Sequence, residues 1–178
     1  MNKLNALLIA GLLFPAISFA SDPKPPSEAE IQAAAIAVTK NYANAVACTE
    51  DEYGIWSFLT LQPWTDYYAR EDAEFAVIWS GDVGCAGGSG TVGVNLAIVK
   101  VGAGNSYYVD ARDSSPPAEF EFYSRSFESV VANTSDVIVL EAFEHGRDDA
   151  NCCPSLRVRY TLKRDENRDW KLHQRQEI

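Results

Sequence analysis

"G-S-G-T-V-G-V-N-L-A-I-V-K-V", residues 88–101, begins like a nucleotide cradle and ends like a strand. Gly88, Gly90 and Gly93 satisfy G-x-G-x-x-G, and Asp110 follows at the spacing of a ribose-binding acid. A dinucleotide fold needs a helix directly after the glycines, because the helix N-terminus holds the pyrophosphate. Here Val92, Val94, Leu96 and Ile98 alternate instead with Gly93, Asn95 and Ala97, a period of two. The stretch is a glycine-rich connection into a strand. Ser89 fails as a nucleophile elbow for the same reason, since that turn also feeds a helix.

Reading outward, the chain keeps this β character. Ile55 to Leu61 is aromatic and branched and stops at Pro63, and Ala73 to Trp79 runs into the glycines. Tyr107 to Asp110 is short, Phe120 to Val131 alternates loosely, and Val137 to Phe143 is apolar on both faces, as a central strand is. Leu156, Val158, Tyr160 and Leu162 face one way and Arg157, Arg159 and Lys163 the other. A polar turn, Arg164 to Asp169, returns the chain through Trp170, Leu172 and Gln174. The one helical segment comes first. Ser27-Glu28-Ala29-Glu30 is a capping box, and Ile31, Ala35, Val38, Tyr42 and Val46 form an apolar stripe ending near Cys48, before the acidic run 49–52. One helix before seven or eight short strands predicts an α+β fold: an N-terminal amphipathic helix packed on a curved antiparallel sheet. The alternative is a β-sandwich or partly open barrel with one helix.

Residues 1–20 read as a secretory signal peptide, with Lys3, an apolar run from Leu4 to Phe14, and Ser18 and Ala20 before the cleavage point. Ser21 rather than cysteine follows, so no lipid anchor is expected there. No later run reaches the ~20 apolar residues of a membrane span. The expectation is cleavage after Ala20, an extended spacer over 21–26 and a single disulfide-reinforced α+β domain over 27–178, periplasmic or secreted. Loss of Lys3 takes the net charge from −10 to −11, and it is uneven. Residues 21–155 carry 7 cations and 21 anions, and residues 156–178 carry 7 and 4. Such an acidic body repels nucleic acid and suits a basic protein partner.

Four cysteines in an exported chain imply disulfides, with three pairings open. In strand geometry Cys152 and Cys153 point to opposite faces and cannot both reach one face to meet Cys48 and Cys85. A bond between neighbours places α-carbons ~3.8 Å apart, below the ~4.4–6.8 Å that disulfides prefer. The motifs C-A-G-G-S-G-T-V-G-V at 85–94 and G-R-D-D-A-N-C-C-P-S at 146–155 resemble those of LppP/LprE-type exported lipoproteins, over about residues 80–163. The shared pattern is a G-G-S-G-T loop with a G-x-x-D-x-x-C-C-P-S/T turn. The resemblance implies Cys48–Cys85 as a staple and Cys152–Cys153 as a self-contained turn. It implies no activity, and the missing anchor cysteine departs from the pattern. A thiol–disulfide oxidoreductase is not expected, because C-C is not C-x-x-C.

Three further clusters bear on function. Trp64, Tyr67 and Tyr68, beside Asp66 and Arg70, form an aromatic patch suited to sugar rings or partner side chains, while Trp56 fits a core. Glu144, His145 and Asp148 would centre a hydrolase or metal-dependent enzyme, although their spacing matches no metal motif. Arg157, Arg159, Lys163, Lys171 and Arg175 make either a basic face or a set of cross-strand ion pairs. The reading favoured is a non-enzymatic envelope protein without cofactor or bound metal, of inhibitor or immunity type, binding a protein or cell-wall component. A glycan binder using Trp64–Tyr68 and the enzyme centred on His145 are the alternatives.

Overall fold

The computed structural model describes residues 23–48, 54–87, 91–115, 126–150 and 152–178. The expected signal peptide, the acidic run 49–52, Gly88–Gly90 and residues 120–125 of the strand expected from Phe120 lie outside the described residues. Helix α1 (Glu28–Val46) starts at the capping box: the Ser27 amide donates to Glu30 Oε2 at 2.8 Å, and the Glu30 amide donates to Ser27 Oγ. Ile31, Ala35, Thr39 and Ala43 form its buried stripe, one residue per turn, flanked by Val38, Tyr42 and Val46. The helix ends where Ala47 turns extended and enters β1 (Ala47–Cys48).

Among the described residues nine strands follow in two antiparallel sheets, not in one curved sheet of seven or eight. In the first, β3 (Glu74–Val83) pairs with β4 (Gly93–Val101), and β4 with β5 (Tyr107–Val109). On its other side β3 pairs with both β1 and β2 (Ile55–Gln62). The second sheet is a meander of β6 (Ser126–Asn133), β7 (Val137–Glu144), β8 (Leu156–Arg164) and β9 (Trp170–Glu177).

Period-two geometry explains the layering. Ala76, Ile78, Leu96 and Ile98 face Ile138, Leu140, Val158, Tyr160, Leu162 and Trp170 of the second sheet. The intervening Phe75, Val77, Trp79, Ala97 and Val99 face α1. The architecture is therefore helix, sheet, sheet, and it combines the expected helix-on-sheet with the sandwich given as its alternative. The strands buried on both faces are β3 and β4. The outer face of β7, with Val137, Val139 and Phe143, is only half-buried, because α1 covers the first sheet and not the second. A close approach decides one glycine: a Cβ on Gly81 would meet the Trp79 ring at 2.6 Å. Among the described residues no helix is long and apolar enough to cross a membrane.

Candidate functional site

The rows of inward-facing side chains run out of apolar residues at one end of the sandwich. On β3 the row Ile78, Ala76 ends in Glu74; on β4 the row Leu96, Ile98 ends in Lys100; on β8 the row Tyr160, Leu162 ends in Arg164. Strand register sets Glu74 directly opposite Lys100. The turn after β5 adds Asp110 and Asp113. This turn is tied along β4 by Ser114 and Ser115, whose hydroxyls each accept a backbone N–H, from Ile98 and Leu96, at 2.8 Å.

These groups surround a polar cavity of about 310 Å³. Lys100 Nζ lies 2.6 Å from Asp110, 3.1 Å from Asp113 and 4.0 Å from Glu74. Arg164, with its side chain 5% exposed, pairs with Glu74 and stands 3.7 Å from Asp113. Its guanidinium donates to the carbonyls of Ser135 and Arg168 and lies 4.6 Å from the Trp170 ring centroid. Burial alone would push the Lys100 ammonium down, but hydrogen bonds and charge from Asp110 and Asp113 outweigh it and hold it above the ordinary lysine value. For Asp110, burial works to raise the carboxyl, and the Lys100 contact overrides it and holds it low. The floor thus holds three carboxylates and two cations tied together by ion pairs.

The rim differs. Six carboxylates and four cations line the whole cavity. Asp169 and Asp136 hold the exposed Arg112 and Arg168. Glu71 and Asp72, on the exposed 3-10 helix Tyr67–Asp72, enter no ion pair recorded for the described residues, so the uncompensated charge at the mouth is negative.

At the opposite end of the sandwich the inward row of β7, Ile138, Leu140, Ala142, stops at Glu144. Glu144 is buried and accepts from Tyr160 Oη and from Arg175 at 2.9 and 2.6 Å. Burial raises its carboxyl, but Arg175 and Tyr160 more than reverse this and hold it low. Asp148 is exposed in the following turn and His145 is half-buried. Among the described residues no trio of His, Cys, Asp or Glu converges closely enough to hold a metal ion.

The double-cysteine turn is organised by Asp149. Its carboxylate accepts from the Gly146 amide at 2.7 Å, the Ser155 amide at 2.6 Å and the Ser155 hydroxyl at 2.7 Å. A Cβ on Gly146 would stand 3.3 Å from that carboxylate, which gives the G-x-x-D-x-x-C-C-P-S spacing a physical reason. Cys152 and Cys153 stand at disulfide distance with α-carbons 3.8 Å apart, as do Cys48 and Cys85 at 4.8 Å. The second pair ties the end of α1 to the turn after β3, where Asp82 accepts from the Ala86 and Gly87 amides.

The aromatic cluster is divided. Trp64 is buried in the helix–sheet core, its indole N–H donating to the Asp66 carbonyl at 2.7 Å, and it stacks on Tyr67. Tyr68 is 76% exposed, and Arg70 is half-buried at the end of the same 3-10 helix. The cations of the second sheet are largely committed: Arg157 pairs with Glu128 and Glu141, Arg159 with Glu141, and Arg175 with Glu144. Lys163 is exposed.

Sequence reasoning missed the polar cavity. Asp110 entered as a candidate site residue only through the rejected nucleotide motif, and Glu74, Lys100, Asp113 and Arg164 were not singled out for a site. The signal was parity: each charged strand residue continues the inward phase of an apolar row. Comparison with protein-family profiles, with curated proteins and with solved structures finds no match.

Proposed function

We propose that this is an exported, non-enzymatic envelope protein that binds a basic macromolecule, in the manner of an inhibitor or immunity protein. The polar cavity is its docking point for a lysine or arginine side chain. One observation carries the reading: six carboxylates face four cations around the cavity, and Glu71 and Asp72 leave negative charge uncompensated at its mouth. A preorganised floor costs little reorganisation on binding, and a charged mouth speeds encounter with an oppositely charged partner. Export is supported by the signal-like residues 1–20 and by two cysteine pairs at disulfide distance, a usage suited to an oxidising compartment.

The hydrolase alternative has less support, since Glu144 is engaged by Arg175 and Tyr160. The glycan alternative keeps the exposed Tyr68, with Tyr67 edge-on at 5.5 Å, but loses Trp64 to the core. The test immobilises oxidised residues 21–178, exposes them to a cell-envelope extract and elutes with salt. A basic protein retained by the wild type and released at moderate salt, but not retained by a Glu71→Gln/Asp72→Asn variant, is the expected result. Equal retention by the variant, or binding insensitive to salt, overturns the proposal.

A further inference from the structure

We infer that the partner's docking surface has a second, apolar subsite on the other side of the Pro63–Glu74 segment, which takes a leucine- or phenylalanine-like side chain. This rests on the proposal of a basic partner and specifies its chemistry further. A hollow of about 330 Å³ opens beside the start of α1. Pro26, Ile31, Pro63, Trp64 and Phe75 supply its apolar walls, and Glu28 is its one ionisable lining residue. The volume falls in the range of sites that hold small ligands or anchoring side chains. Its wall is rigid: Trp64 is fixed by its bond to the Asp66 carbonyl, by stacking on Tyr67 at 6.3 Å and by Tyr107 edge-on at 6.5 Å. A buried anchor pocket within a polar surround is the usual form of an interface hot spot.

Two features tie the hollow to the polar cavity. Phe75 lines one and Glu74 the other, so the recesses lie on opposite faces of the β3 start. Along the chain the kinked 3-10 segment Tyr67–Asp72 lies between the Pro63 and Trp64 of the hollow and the Ala73 and Glu74 of the cavity. Charge complementarity names the partner: Glu28 lines the hollow, and Glu71 and Asp72 line the cavity, whose six carboxylates outnumber its four cations. The exposed Tyr68 sits on the bridge between them. The sequence that fits is an apolar anchor with lysine or arginine flanking it.

The probes are three acetylated, amidated peptides: Lys-Ser-Gly-Ser-Leu-Lys, the same with Leu replaced by Ala, and the Leu peptide with both lysines replaced by Glu. Binding to oxidised residues 21–178 is titrated by NMR at low salt, following the Trp64 indole resonance. The Leu peptide is expected to bind roughly tenfold tighter than the Ala peptide and to be the one that moves this resonance. The advantage is expected to vanish in Thr60→Phe, which fills the hollow, with the circular dichroism spectrum as the check on folding. Equal binding of the Leu and Ala peptides, or an advantage that survives Thr60→Phe in a folded variant, overturns the apolar subsite. A Leu advantage that persists equally in the Glu peptide keeps the subsite and overturns the basic partner. No binding by any peptide overturns both.

Discussion

Replacing Arg164 by methionine tests whether the charged end of the sandwich is a true buried network. The substitution keeps the length of the aliphatic stem over Trp170 and removes the guanidinium. Arg164 is 5% exposed, and its partners Glu74 and Asp113 are 11% and 8% exposed, so solvent does little to replace it. Removing one member of a buried pair costs about 3–5 kcal/mol, because a charge is left uncompensated. The lower end applies here, since Lys100 still reaches Asp113 at 3.1 Å and Glu74 at 4.0 Å. The expected loss is therefore about 3 kcal/mol, out of the roughly 5–15 kcal/mol of a typical domain. At ~2–4 °C per kcal/mol for a chain of this size, the melting midpoint falls by about 6–12 °C. Urea unfolding of residues 21–178 at fixed pH measures it, with equal slopes for both proteins as the control. The double variant Glu74→Gln/Arg164→Met removes both charges and should recover most of the loss. A single-variant cost below about 1 kcal/mol, as for an exposed pair, would refute the reasoning, and so would a double variant less stable than the single.

Other perturbations reach different parts of the fold. Replacing Cys48 and Cys85 by alanine opens a loop of sequence separation 37, which the chain-entropy account values at about 4 kcal/mol, so the urea midpoint should fall substantially. Non-reducing peptide mapping should link Cys48 to Cys85 and Cys152 to Cys153, and a bond across the two pairs would contradict the structure. Gly81→Ala drives a methyl into the Trp79 ring and should cost about 1–3 kcal/mol, with a change in tryptophan emission. Asp110 and Glu144 are held below their ordinary carboxyl values in the fold, so each contributes stability that is complete above about pH 4.5 and is lost as pH falls through its depressed folded value. Glu144→Gln should flatten part of that acid slope in a stability–pH series, and an unchanged slope would count against the role of the Arg175 pair.

Much of the fold was legible because its strands obey a simple period. Val92 to Ile98 and Leu156 to Leu162 alternate cleanly, and the capping box at Ser27 marked the start of α1. Sheet membership was not legible. Little local distinguishes β3 and β4, covered by both α1 and the second sheet, from β7, covered on one face, since all three carry apolar residues on both faces. The site was less legible still. It is assembled from the ends of β3, β4 and β8 and the turn after β5, residues 74 to 164, and no short motif spans that distance. Trp64 was misjudged for a related reason: its polar neighbours suggested a surface, whereas the chain turns at Asp66 and folds the ring beneath the helix.

The charged residues that close each open end of the sandwich also act as rulers. Sliding β8 by two residues toward the core would preserve every inward and outward assignment, so alternation alone cannot forbid it. That slip would carry the Arg164 guanidinium into the layer now filled by Leu162, away from Glu74 and Asp113. A slip of β7 the opposite way would draw Glu144 into the layer of Ala142, away from Arg175. The sandwich is gauged from both ends, so two-residue deletions within β7 or β8 should be rejected far more severely than equal deletions in the turns between strands.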